Sequence, residues 1–201
     1  SRYSEYYSSE GRLDIVRSAD LNHYVSHVCL QRYGFTPVIN NEMVNKRVLN
    51  AQNLKGRNLA IDWVLNHSDD TEIPCMDGYG PEVSIFKSAF LFTGLAKNEC
   101  VDDPGICRVV KEIRDFIDSS EQKKTSFAPL YNILESPPYG MRKGVIPLFL
   151  AYVIRQYKEN VTLYYRNKEV ELSATILSAI NDNPDDYILL VEAGTQEREE
   201  Y

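Results

Sequence analysis

Ser136-Pro137-Pro138-Tyr139-Gly140-Met141-Arg142-Lys143-Gly144-Val145-Ile146-Pro147 runs directly into the apolar stretch Leu148-Phe149-Leu150-Ala151-Tyr152-Val153-Ile154. Proline fixes φ and removes a donor, whereas glycine opens the left-handed region. Three prolines and two glycines in twelve residues therefore read as a stiff connector. The stretch after it is apolar on every side of a helical projection, which marks a helix covered all round. The reading places that helix from about Gly144 to Tyr157. Pro147 is tolerated in its first turn, where N–H groups have no intrahelical acceptor. Arg142 and Lys143 are then held at the mouth of a buried helix.

Working downstream, Val161 to Tyr165 and Val170 to Leu172 read as two strands, joined tightly through Arg166-Asn167-Lys168-Glu169. Ser173 caps a helix carrying Ile176, Leu177 and Ile180. Pro184 closes it, and Tyr187 to Val191 is a last strand. Just upstream, Ser126 caps a helix with Phe127, Leu130, Tyr131, Ile133 and Leu134, which Pro137 and Pro138 stop. Helix, helix, hairpin, helix and strand in this order are expected to form a winged-helix-like module over 121–194, with an acidic tail at 195–201.

Further upstream the apolar period is helical. Residues 12–120 are expected to form a helical domain, behind a flexible tail at 1–11. Leu21, Tyr24, Val25, Val28, Cys29 and Tyr33 follow the i, i+3, i+4 rule after Ser18, and Gly34 ends that helix. Asn40 or Asn41 is read as the cap of a short helix through Met43 and Val48. A longer helix carries Leu59, Ala60, Trp63 and Val64. Pro81 opens a helix that is apolar on most sides, with Val83, Ile85, Phe86, Ala89, Phe90 and Leu91. Asp103 caps and Pro104 begins a helix with the cleanest stripe of the chain, from Ile106 to Ile117. The charged connector 119–125 is taken as the domain boundary. The fold class expected is mainly α with a small β component, a helical bundle followed by a winged-helix-like α+β module.

The 201 residues suffice for a real core, and the 43% hydrophobic and 25% charged content is that of a globular chain. The chain opens on Ser1 without a leader-like apolar segment, and no apolar run approaches the roughly 18 residues of a membrane span. A piece of a larger cytoplasmic protein, with no membrane contact, is expected. The net charge of −7 disfavours nonspecific attraction to phosphate backbones. Cys29, Cys75, Cys100 and Cys107 have neither metal nor redox spacing, and Cys29 reads as a small buried hydrophobe.

No constellation reads as catalytic. His23 and His27 share a helix face at i, i+4, but nothing with ligand spacing completes a metal set. There is no nucleophile elbow and no phosphate loop. Gly78-Tyr79-Gly80 is too short for one, and Glu82 already complements the dipole of the following helix. No cofactor, metal or enzymatic activity is expected of this chain.

The basic residues carry the remaining signal. Arg142, Lys143, Arg155, Lys158, Arg166 and Lys168 face only Glu159 and Glu169 between 137 and 170, a net +4. Residues 181–200 are acidic, net −6. A winged helix that reads DNA needs a polar, basic recognition helix. Here the corresponding helix, Val145 to Ile154, is apolar. The candidate contact residues are therefore Arg142 and Lys143 at the connector and Arg166 and Lys168 at the wing, more for a protein neighbour than for DNA. Fourteen tyrosines, among them Tyr139, Tyr152, Tyr157, Tyr164 and Tyr165, suit interfaces or core edges.

The stretch from Ser136 to Leu148 also resembles a segment of large bacterial P-loop ATP-binding proteins of phage-resistance systems, the BREX-type ATPases among them. Their pattern runs P-P-[YF]-G-[LIM]-x-x-G-x-[IV]-P-[IL], then apolar residues and a short strand pair. The resemblance is strongest over 126–192. Pro37-Val38-Ile39-Asn40-Asn41-Glu42 and Gly80-Pro81-Glu82 look like upstream parts of the same proteins. The resemblance implies an auxiliary region downstream of an ATPase core, passing nucleotide state to partners or nucleic acid. Its partners are then the rest of a larger ATP-binding protein or another protein, with DNA contact weak. Because the P-loop is missing here, hydrolysis does not carry over. The alternative class is a DNA-binding winged-helix regulator.

Overall fold

A computed structural model describes residues 4–9, 11–68, 71–98 and 103–192. The chain divides into two compact units, residues 1–34 and 35–201. The first contains a hairpin, β1 (Tyr6–Ser8) against β2 (Gly11–Leu13), and helix α1 (Ser18–Arg32). Its strands overlap the stretch 1–11 expected as a flexible tail, of which residues 1–3 and 10 lie outside the described residues. Three-residue strands are too short to show a period of two, and Gly11, the first residue of β2, takes a φ of 128° that disfavours any side chain. Arg17, not Ser18, precedes α1, and Asp20 reaches back to the Arg17 N–H at 2.9 Å. This backbone hydrogen bond holds the Asp20 carboxyl below its ordinary value. No residue of α1 is buried, and Cys29 is exposed, against expectation. One helix and one hairpin offer too little volume for a core of their own.

The second unit is built on α2 (Ala51–Asn66). Its cap, Asn50, accepts from the Asn53 N–H at 2.8 Å. Asn53, Gly56, Arg57, Ala60, Ile61, Val64 and Leu65 form its buried face, while Leu59 is exposed rather than inward. The helix expected between Met43 and Val48 is a series of turns and bends. Asn41 starts a single turn there: its Oδ1 accepts the Met43 N–H at 2.9 Å and its carbonyl the Asn45 N–H at 3.1 Å, but the turn does not propagate. Helix α3 (Pro81–Phe86) packs on α2 and continues as a π-helical turn, Lys87–Leu91. Helix α4 (Pro104–Asp118) starts as expected, with Asp103 Oδ1 accepting from Gly105 N at 2.7 Å. Ile106, Val109, Ile113 and Ile117 are its buried stripe.

The last third holds β3 (Thr125–Ser126), α5 (Ala128–Glu135), α6 (Ile146–Ile154), β4 (Val161–Tyr165), β5 (Lys168–Val170), α7 (Ala174–Asp182) and β6 (Tyr187–Val191). The sheet is antiparallel in the order β3-β6-β4-β5. Leu163 stands opposite Leu189 on the core side, and Tyr187, Leu189 and Val191 alternate inward. The β4–β5 turn is the pair Arg166-Asn167, both at positive φ, so the second strand starts two residues earlier than read from sequence. The elements run helix, strand, helix, helix, hairpin. In the sheet, the strand between β3 and β4 is β6, which returns after α7.

All nine residues of α6 are buried. It packs against α2, α4 and α7 together, so elements from both sides of residue 120 cover it. The connector expected as a domain boundary is joined to the sheet: Gln122 N–H donates to Val191 O at 2.9 Å, and Val191 N–H to Ser120 O at 3.1 Å. Two domains meeting near residue 120 are thus corrected to one core across it, because a helix apolar on all faces needs cover on all faces. The molecule is mainly α with a small antiparallel sheet. No helix among the described residues is long and apolar enough to cross a membrane.

Candidate functional site

The connector from Ser136 to Val145 begins where α5 runs out of helix. Ser136 turns extended, and the Pro137–Pro138 peptide is cis. Gly140 takes a φ of 56°, and its N–H and that of Tyr139 both donate to Ser136 O, at 2.9 and 3.0 Å. Met141 N–H then returns to Leu134 O at 2.8 Å, and Val145 N–H closes on Arg142 O at 2.9 Å. These local bonds make the segment a fixed turn.

Residues distant in sequence fasten it. Phe35 N–H donates to Pro138 O at 3.2 Å, and the Thr36 hydroxyl donates to Tyr139 O. The Tyr139 ring is buried and its hydroxyl donates to Glu112 Oε1 at 2.8 Å. Burial first, then this bond to a carboxylate, pushes the Tyr139 phenol up to about 12. Gly144 packs so tightly on the carbonyl of Val44 that a Cβ would collide with its oxygen. From behind, Arg57 on α2 is 3% exposed. Its Nη1 donates to the carbonyls of Lys143 and Gly144 at 3.4 Å each, and its Nη2 to Ser178 Oγ at 3.0 Å. Burial pulls the Arg57 guanidinium below its ordinary value, with Tyr131 and Asp182 acting the other way. Arg57 was not singled out in the sequence. Its signal was faint: one arginine on the apolar side of a helix.

The four sequence candidates lie on two elements. Arg142 is exposed on the connector, while Lys143 is half-buried and pairs with Glu135 at 3.5 Å. At the wing, Arg166 pairs with Asp186 at 3.0 Å and lies over the Tyr165 ring, 5.1 Å from its centroid. Asp186 raises the Arg166 guanidinium above its ordinary value. Lys168 is exposed opposite Tyr165. Two other basic residues of this stretch serve α2: Arg155 donates to His67 O at 2.9 Å and Lys158 to Leu65 O at 3.1 Å, covering carbonyls at its C-terminal end. Of the six basic residues, Arg142 and Lys168 make no ion pair or side-chain hydrogen bond among the described residues. The acidic tail expected at 195–201 lies outside those residues.

His23 and His27 are exposed, and no group of three His, Cys, Asp or Glu comes together among the described residues. The arrangement can present one cation rigidly. Comparison with protein families, with characterised proteins and with solved structures finds no match.

Proposed function

We propose that this chain is a non-catalytic auxiliary region of a larger bacterial ATP-binding protein of the phage-resistance type, and that it serves in the cytoplasm as a protein-contact module. The carrying observation is the connector: local turns, Arg57, Thr36 and Tyr139 hold it, and it offers Arg142 to solvent. A side chain presented by a preformed turn loses little backbone entropy on binding. The helix that would enter a DNA groove in the alternative reading is buried over its whole length, and the wing arginine is already paired. Both observations favour a protein neighbour over DNA.

The test is Arg142→Glu in the full-length parent. Nucleotide turnover or phage restriction should fall at least tenfold, while the melting temperature of the 201-residue chain stays within about 2 °C, as expected of an exposed side chain. Full activity in the variant rejects the proposal. Submicromolar binding of the chain to a 30-base-pair duplex at 150 mM salt, lost in the same variant, favours the DNA-binding regulator instead.

A further inference from the structure

Asn40 and Asn41 meet the segment Gly78-Tyr79-Gly80, neither of them part of the connector, at a surface pocket of about 270 Å³. Its base is settled internally: Asn41 Nδ2 donates to Ser88 Oγ at 3.0 Å and to Ser84 Oγ at 3.3 Å. Its other walls are not. Tyr79 is fully exposed between two glycines, and Phe92 is 77% exposed. Two large rings left in water beside one cavity are the informative kind of exposure, since scattered single apolar residues are common.

The π-helical turn explains why Phe92 is there. Phe92 N–H donates to Lys87 O at 2.8 Å, a bond spanning five residues. In an α-helix, residues five apart point about 140° away from each other at 3.6 residues per turn. The wider turn brings Lys87 and Phe92 to the same pocket. Such turns are rare, carry a cost in regular hydrogen bonding, and recur at functional sites. Lys87 is the one charged residue in the lining, which contains no carboxylate. Glu82 folds back against Gly80 at the helix start. Asn40, exposed in the lining, adds an amide edge suited to peptide groups.

We infer that this pocket binds an extended peptide segment that sets a proline or aromatic ring against Tyr79 and Phe92 and a neighbouring carboxylate against Lys87. The volume falls below the roughly 300–1,000 Å³ of small-molecule pockets and suits one or two side chains. Aromatic-lined grooves are an established way of taking proline-rich peptides. Single-stranded nucleic acid also stacks on aromatic rings, but needs a basic groove. One lysine on a chain of net charge −7 does not make one. The inference rests on the reading of the chain as a protein-contact module, and not on its affiliation with an ATPase.

The test uses the full 201-residue chain and a phage-displayed library of random nine-residue peptides, counter-selected on a Tyr79→Ala/Phe92→Ala double variant. Enriched peptides should pair Asp or Glu with a proline or aromatic residue. The best of them, made synthetically, should bind with a Kd on the order of 10–100 μM, as fits a small contact. Affinity should fall at least tenfold in Tyr79→Ala or Phe92→Ala. It should fall about threefold in Lys87→Ala and recover in Lys87→Arg. Because both rings are exposed, unchanged circular dichroism and melting are expected of the variants. No enrichment over the double variant, enrichment without acidic residues, or affinity indifferent to these substitutions overturns the inference. So does stronger binding of a twenty-residue oligothymidylate that depends on the same rings. The selection reads this chain alone, so its failure is distinct from a failure of the Arg142 experiment in the parent.

Discussion

Tyr139 shows how one side chain joins the connector to the rest of the core. Its ring is buried, and its hydroxyl reaches Glu112 on α4. Tyr157 repeats the device, donating to Asp118 Oδ1 at 2.8 Å. Burial first and the acidic partner second push both phenols up to about 12. Unfolded tyrosine titrates near 10. A raised folded value contributes stability that is fully present below the unfolded value and is lost as pH rises through the folded one. Urea midpoints should therefore hold to about pH 9 and decline between about pH 10 and 12, with the decline reduced in Tyr139→Phe. A midpoint as high at pH 11.5 as at pH 8 contradicts this role. Tyr139 was visible in sequence as part of a motif. Glu112 was not, because a partner 27 residues away on another helix leaves no local trace.

Helix by helix, what could be read depended on how completely an element states its own environment. Helix α6 states it fully: nine apolar residues have no polar face to turn outward, and all are buried. Leu148→Ala should cost about 2–5 kcal/mol in chemical denaturation, the range for a buried leucine truncation. A loss under about 0.5 kcal/mol would mean that α6 is peripheral. Helix α4 was equally plain, since Asp103, Pro104 and the isoleucine stripe agree on start and buried face. Helix α1 misled: Leu21, Tyr24, Val25 and Val28 have helical spacing, yet spacing describes a face and not what covers it. The stretch 42–48 misled in the other sense: Asn41 caps one hydrogen-bonded turn, and the chain then leaves it in bends. The π-helical turn had no signature, as Lys87-Ser88-Ala89-Phe90-Leu91 suits an α-helix as well. For the candidate residues, sequence showed the charges but not their neighbours. Arg142 and Lys168 are exposed, whereas Lys143 and Arg166 are paired with acids that sequence does not bring beside them.

At the scale of the molecule, α6 is shared property. Covered by α2 and α4 from one side of residue 120 and by α7 from the other, it ties the two parts into one folding unit. Fragments 35–121 and 122–192 should each lack a cooperative thermal transition and regain one only when mixed or co-expressed. A fragment 35–121 that melts cooperatively alone restores the two-domain reading. Sequence placed the boundary at 120 because charge and period change there. Composition cannot register that Gln122 and Ser120 bond to Val191, far along the chain. Gly144 carries this unity into inheritance. Its backbone lies against the carbonyl of Val44, with no room for a Cβ, so neither segment can drift alone. A descendant that gains a side chain at 144 must remodel residues 41–48 in the same lineage. Glycine at this position therefore serves as a fossil marker of whether a diverged sequence still assembles the same junction.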